Sequence, residues 1–260
     1  MAISARGNRP EVTAGTLRWL ALGADAMPPD ERWLAPGEAA IAARLRYTKR
    51  RNEFLLRRLV AKHAVALATG RPTDAETLAG IEVRNAESGA PYVSVALELS
   101  ISDRAGWAVC VVAGADPVGC DLELVEPRSP GFVSDFLTAT ERGLVDSCAP
   151  GDERDAMANL LWSAKESALK ALGTGLDRDT HTLDVTPGAP RDDGWGALTV
   201  RAVEGDTEGT VLPGWWRREG RFVLTVVTRV PTPAPAALGA PGVLARALPR
   251  HTWLERPLLS

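Results

Sequence analysis

Lysine is nearly absent from this chain. Of its 30 basic residues only four, Lys49, Lys62, Lys165 and Lys170, are lysine, and the other 26 are arginine. Two of those four stand close together, either by chance or because that place wants a compact ammonium rather than a planar guanidinium. Cysteine is also scarce. Cys110, Cys120 and Cys148 form an odd set with no CxxC spacing, so neither a disulfide framework nor a zinc site is expected. The three histidines, His63, His181 and His251, are widely scattered. No apolar run approaches the roughly 18 residues needed to cross a bilayer, and the opening MAISARGNRPEVTAG lacks the apolar core of a signal peptide. A net charge of −3 gives no whole-molecule attraction to nucleic acid or to an acidic membrane. These absences lead us to expect a cytoplasmic protein with neither nucleic acid nor membrane as partner.

What is present is an ordinary globular composition, 45% hydrophobic and 24% charged over 260 residues, with ample material for a core. After a loose start over residues 1–15, TLRWLALGADA reads as a strand, and the pattern from Pro36 to Thr69 reads as helical, stopped by Gly70 and Pro72. IEVRNAESGAPYVSV reads as two strands around Gly89-Ala90-Pro91. LELSISDRAGWAVCVVAG reads as two strands around a polar turn, and VGCDLELV as another strand. Helices are then expected over VSDFLTATERGLVDSC and ERDAMANLLWSAKESALKALG, followed by strands in HTLDVTP, GALTVRAVEG and RFVLTVVTRV. Strand, helix and paired strands thus occur twice, which predicts an α+β chain of two similar lobes, residues 16–117 and 118–230. The Pro/Ala-rich stretch 231–260 reads as a linker tail.

Three groups of residues invite chemistry. In DLE, Asp121 and Glu123 share one face of a strand. Such a pair reads either as an acid-covered surface or as oxygen ligands for Mg²⁺, which keeps waters and adds phosphate oxygens. In LWSAKESALKALGTGL, the residues Leu161, Ala164, Ala168 and Leu172 form a core stripe. Trp162, Glu166 and Lys170 form a second stripe beside it, flanked by Lys165. A Glu-to-Lys pair at i,i+4 is a common surface stabiliser, and a tryptophan is often a core filler. If Glu166 faces Asp121 and Glu123, however, three carboxylates share a place that demands a divalent ion, with Lys165 and Lys170 where a phosphate would lie. The third group, Arg44, Arg46, Lys49, Arg50, Arg51, Arg57 and Arg58, reads as a solvated or RNA-binding face, or as a site for a polyphosphate.

In this order and spacing, VGCDLELVEP, FLTATERGLV and LWSAKESALKALGTGL resemble the 4′-phosphopantetheinyl transferases, in their long two-lobed, surfactin-synthetase form. The matching residues are Gly119-x-Asp121-x-Glu123, Phe136-x-x-x-x-Glu141 and Trp162-x-x-Lys165-Glu166-x-x-x-Lys170. The resemblance implies two α/β lobes related by pseudo-twofold symmetry and a monomer. It also implies transfer of the phosphopantetheine arm of coenzyme A to a serine of an acyl or peptidyl carrier protein, with release of 3′,5′-ADP. Asp121, Glu123 and Glu166 would then bind Mg²⁺, while Lys165 and Lys170 would hold the pyrophosphate. Glu141 would be the candidate base, and Arg57, Ser102 and Arg104 would hold coenzyme A. The chain departs from the family's G-K-P and N-I-S-H-S patterns at Ala90 and Asp103. Two alternatives follow: a divergent relative working on a carrier-tethered intermediate, or a non-enzymatic carrier- or RNA-binding module.

Overall fold

A computed structural model describes residues 15–174, 179–205 and 207–250. Residues 1–14 of the expected loose start and residues 251–260 of the tail lie outside this description. The first half contains β1 (Leu17–Gly23), α1 (Pro36–Arg44), α2 (Thr48–Ala68), α3 (Ala75–Ala79), β2 (Arg84–Asn85), β3 (Pro91–Tyr92), β4 (Glu98–Arg104) and β5 (Trp107–Ala113). The second contains β6 (Val118–Leu124), α4 (Pro130–Phe136), α5 (Ala139–Ser147) and α6 (Asp152–Leu172). It continues through β7 (Leu183–Pro190), β8 (Gly196–Ala202), β9 (Val211–Glu219) and β10 (Phe222–Thr228), and β11 (Ala236–Ala237) follows in the tail. The α+β class expected from the sequence is the one observed.

Two sheets form, ordered β11-β1-β5-β4 and β6-β10-β9-β8-β7, and β2 pairs with β3 alone. Each sheet carries a 21-residue helix, α2 or α6. Alternation along the strands divides the apolar residues among three layers. On β5, Cys110 and Val112 pack with α2, whereas Val109 and Val111 pack with Cys120, Leu122, Leu224 and Val226 of the other sheet. Leu161, Ala164 and Ala168 of α6 pack with Val185, Leu198 and Val200.

The two halves also repeat an ion pair. Lys62 of α2, 0% exposed, pairs with Glu38 in the first turn of α1 and donates to Trp33 O at 3.0 Å and Leu78 O at 2.9 Å. Glu38 accepts from Ala35 N at 2.9 Å and Val83 N at 3.0 Å. In α6, Lys165 is likewise 0% exposed, 2.7 Å from Glu141, and donates to Phe136 O at 3.0 Å and Thr180 O at 2.8 Å. Glu141 accepts from Thr138 N at 2.8 Å and Val185 N at 2.9 Å. In each half the acid precedes its lysine by 24 residues. The strand connectivity matches as well, since β1-β5-β4 and β6-β10-β9 both place the first strand beside the last and the last beside the one before it.

This pairing explains one departure from the sequence reading. The helical run from Pro36 to Thr69 is two helices, with extended backbone at Leu45 (ψ 102°) and Tyr47 (ψ 120°). A continuous helix would hold Glu38 and Lys62 about 36 Å apart, so the chain must fold back for them to meet. Strand β9 escaped the sequence reading because Pro213 and Gly214 interrupt its alternation. A Cβ on Gly214 would lie 2.4 Å from Val226 O, so glycine is what lets β10 approach. The tail also differs from a linker: Ala236 and Ala237 pair in parallel with Arg18 and Trp19, and Leu244 is 0% exposed in the core between the sheets. No helix among the described residues is long and apolar enough to cross a membrane.

Removing one partner of a buried pair costs roughly 3–5 kcal/mol, because the other charge is left without compensation. Lys62→Ala is therefore expected to lower stability in urea unfolding by that amount. Lys49→Ala, whose ammonium is exposed and 3.8 Å from Glu53, is expected to change it by less than about 0.5 kcal/mol.

Candidate active site

The close approach of α6 to β6 begins at Gly119. A Cβ there would lie 1.9 Å from Ser167 O and 2.7 Å from Ala171 N. The helix backbone thus rests directly on the strand, and the glycine of the G-x-D-x-E pattern is a packing requirement. Gly173, at φ 74°, closes the helix in the left-handed conformation just beyond Lys170. Acids in the first turn (Asp152, Glu153 and Asp155) and Lys170 in the last turn complement the helix dipole.

The other wall is β4. A two-residue turn at Ala105 (φ 50°) and Gly106 (φ 80°) joins it to β5, with Arg104 opposite Trp107. Alternation along β4 sends Leu99 and Ile101 to the α2 core and Asp103 to Arg57 Nη1 of that helix at 2.7 Å. Ser100, Ser102 and Arg104 turn instead to β6. Ser100 Oγ accepts from Cys120 N at 2.9 Å, and Ser102 Oγ donates to Asp121 Oδ1 at 2.8 Å.

Asp121, Glu123, Glu166 and Lys170 meet between these walls. Lys170 Nζ donates to Asp121 Oδ1 and to Cys120 O, both at 2.9 Å. Burial lowers the Lys170 ammonium, but the Asp121 carboxylate, with Cys120 and Glu166, more than offsets this and holds it above its usual value. Burial, with the charges of Asp121 and Glu123 adding to it against Lys170, pushes Glu166 from 4.5 up to about 7. Asp121 Oδ2 and Glu166 Oε1 are buried and have no hydrogen-bond partner among the described residues.

Glu123 is occupied differently. Its Oε1 accepts from Trp162 Nε1 at 3.2 Å, and its Oε2 lies 3.2 Å from Arg104 Nε and 2.9 Å from Arg128 Nη2. Burial and Asp121 raise this carboxyl, while Arg104, Arg128 and Trp162 pull it back. Trp162 stacks edge-on against Phe132 and Phe136, with centroids at 5.3 Å and 4.8 Å. As placed, no group of three or more His, Cys, Asp or Glu side chains among the described residues is close enough to hold a metal ion. The donor set nevertheless suits a hard cation, because Asp121 Oδ2 and Glu166 Oε1, like Glu126 Oε2, are buried carboxylate oxygens with nothing to accept from among the described residues.

Two residues expected in the site lie elsewhere. Lys165 and Glu141 are the buried pair described above, and each has its polar contacts filled by the other and by backbone groups. Burial pushes Glu141 up and Lys165 down, each partly offset by its partner. Lys165 therefore has no free donor for a pyrophosphate, and Glu141 has no exposed oxygen for a substrate hydroxyl. Arg57 and Arg104 are exposed by 39% and 27%, and both are ion-paired, Arg57 with Asp103 and Arg104 with Glu123 and Glu126. The sequence reading missed Glu126, Arg128 and Asn159, which form no motif. Glu126 and Arg128 have one signal, charge flanking Pro127 just after the DLE strand, and Asn159 has none.

Glu166 also sets a pH dependence. Its folded-state value of about 7 lies above 4.5, so the folded chain retains a proton that the unfolded chain gives up. The stability this supplies is complete below about pH 4.5 and is lost as pH rises through about 7. In thermal melts with EDTA, Glu166→Gln is expected to gain on the parent protein from pH 5 to pH 8. Parallel curves would mean that the carboxyl is not desolvated.

The sequence model of the 4'-phosphopantetheinyl transferase superfamily, ACPS, matches residues 117–226. A 4'-phosphopantetheinyl transferase of Bacillus subtilis is 29% identical over 165 residues, 60% of this chain and 72% of that protein. The 4'-phosphopantetheinyl transferase gsp of Aneurinibacillus migulanus is 30% identical over 93 residues, 36% of this chain and 38% of that protein. The crystal structure of a holo-[acyl-carrier-protein] synthase from Thermotoga maritima aligns at 23% identity over 43% of this chain and 61% of that one. Its TM-score is 0.33. By these sequence matches, residues 117–226 are similar to the 4′-phosphopantetheinyl transferase superfamily, and the relatives that the chain resembles are transferases of that type.

Proposed function

We propose that the chain transfers the 4′-phosphopantetheine arm of coenzyme A to a serine of an acyl or peptidyl carrier protein, using Mg²⁺ and releasing 3′,5′-ADP. One observation supports this above others: Asp121 Oδ2 and Glu166 Oε1 are buried carboxylate oxygens without a donor, and Lys170 stands beside them. Mg²⁺ typically binds through one or two carboxylates, completing its shell with water and phosphate oxygens, and when bound it would neutralise charge on the pyrophosphate.

In the reaction the serine hydroxyl releases its proton to solvent as its oxygen bonds to the phosphorus that carries the pantetheine arm. The bridging bond breaks, and the bridging oxygen leaves with 3′,5′-ADP. Lys170 is the chain's own group for that leaving phosphate. Its ammonium, fixed by Asp121 Oδ1 and Cys120 O, supplies a compact positive charge there. Ser102 holds Asp121 Oδ1, and Oδ2 is left without a donor among the described residues. Glu141 and Lys165 act through position, by fixing α6, and neither touches the substrate.

The test is intact-mass measurement of apo acyl and peptidyl carrier proteins after incubation with the full chain, coenzyme A and Mg²⁺. A gain of one pantetheine arm is expected, and Lys170→Ala is expected to slow it by about 10²–10⁴-fold while remaining folded, at a melting temperature below the parent's because Asp121 loses its ion-pair partner. No gain on any carrier with the folded parent would reject the proposal.

One observation favours a second reading, in which the donor differs from coenzyme A. The arginines expected to hold it, Arg57 and Arg104, are ion-paired with Asp103 and with Glu123 and Glu126. Calorimetry with coenzyme A separates the two readings: Mg²⁺-linked binding supports the first and its absence the second.

A further inference from the structure

We propose that Thr225 of β10, bonded to Ser163 and Ser167 of α6, is a positioning residue that fixes the rotation of this helix so that Lys170 meets Asp121. All three hydroxyl side chains are fully buried, so they act through α6 and not on a substrate. Their effect on transfer rests on the reaction read above, whereas the placement of Lys170 does not.

Alternation along β10 turns Phe222, Leu224 and Val226 to the core between the sheets, and Val223, Thr225 and Val227 to α6. Thr225 is the polar residue between two valines on that inner face, and its register partner on β6 is Asp121. Ser163 and Ser167, four residues apart, share one face of the helix. Ser163 Oγ lies 2.9 Å and Ser167 Oγ 2.7 Å from Thr225 Oγ1, and Ser167 Oγ is also 3.2 Å from Thr225 O. One order of donors satisfies all of them: Ser163 donates to Thr225, Thr225 to Ser167, and Ser167 to the Thr225 carbonyl. Buried hydroxyls are costly unless bonded, and these bond one another across the helix–sheet interface.

The neighbouring contacts do not supply this restraint. Leu160, Leu161, Ala164 and Ala168 meet Val223 and Val227 through apolar packing, which is non-directional. Gly119 sets how closely α6 approaches β6, but not how far the helix is turned about its axis. Lys165 holds Glu141 through a flexible four-carbon stem, so its nitrogen can stay in place while the helix backbone shifts. A serine oxygen stands one bond from Cβ, and its hydrogen bonds restrict both distance and angle. Lys170 follows Ser167 by three residues and reaches Asp121 Oδ1 at 2.9 Å, one strand over from Thr225. A slip of one residue moves a helical side chain by about 1.5 Å and turns it by about 100°, enough to break that contact.

The test compares two variants of the full chain: Thr225→Val, which keeps the shape and loses the hydroxyl, and Thr225→Ser, which keeps the hydroxyl. Because the chain has only four lysines, labelling lysine with ¹³C at Cε gives a simple magnetic resonance spectrum in which Lys170→Ala identifies the Lys170 signal. Thr225→Val is expected to shift or broaden that signal, and Thr225→Ser to leave it as in the parent. In transfer to a carrier protein, Thr225→Val is expected to lower kcat by about tenfold or more, with KM for coenzyme A within about twofold of the parent. Thr225→Ser is expected to keep kcat within about twofold of the parent. A parental Lys170 signal or a parental kcat in folded Thr225→Val overturns the proposal. So does an equal loss in both variants, which would mark the role as packing. Should Thr225→Val fail to fold, Ser167→Ala, in which Thr225 retains Ser163 as a partner, carries the same readouts. Absence of transfer by the folded parent would remove the proposed reaction, and the Lys170 signal would still decide the placement.

Discussion

A lysine ammonium buried against a glutamate in the first turn of a neighbouring helix is the constraint on which the site depends. Burying both charges is expensive, and the cost is offset only because the remaining donors and acceptors are also filled. Lys165 meets that condition with Glu141, Phe136 O and Thr180 O. The geometric consequence matters more than any net stability. Successive helical residues point about 100° apart, whereas residues four apart share a face. Once Lys165 is committed to α5, Glu166 must turn toward β6, and Lys170 turns with it. Gly119 then sets how closely those side chains approach Asp121.

The second organising feature is electrostatic. Four acids converge where β4, β6 and α6 meet, and the chain answers them unequally. Glu123 and Glu126 receive arginines, one of them locked by Asn159 and Phe132. Asp121 shares one oxygen between Ser102 and Lys170 and leaves the other free, and Glu126 and Glu166 each leave a buried oxygen free as well. The scarcity of lysine now has an explanation in each case. Lys62 and Lys165 fit interiors where three acceptors converge on one nitrogen, Lys170 meets the free acids, and Lys49 lies on the surface.

Much of this was legible in the sequence. The elements with clean periodicity, such as α6, β5 and β6, emerged near their observed bounds, and the Asp121–Glu123–Glu166–Lys170 group emerged from alternation and helical spacing together with the family resemblance. The failures share one cause, which is that local pattern does not report which partner a side chain meets. The break between α1 and α2 is dictated by a pair formed 24 residues apart. Strand β9 was hidden because its glycine serves a neighbouring strand. The tail residues Leu244 and Ala247 pack into a core built mainly by others, so no periodicity marked them.

By itself the sequence determined the α+β class, the two-part order of elements and which acids share a face, because these follow from side-chain spacing along one segment. Only the tertiary structure decided that Lys165 and Glu141 satisfy each other in the interior, that Arg104 and Arg128 take Glu123, and that Asp121 and Glu166 keep a free oxygen. Those outcomes depend on which charges become neighbours across α5, α6, β4 and β6. A charge in a low-dielectric interior takes the nearest well-oriented partner, whatever role its motif suggests.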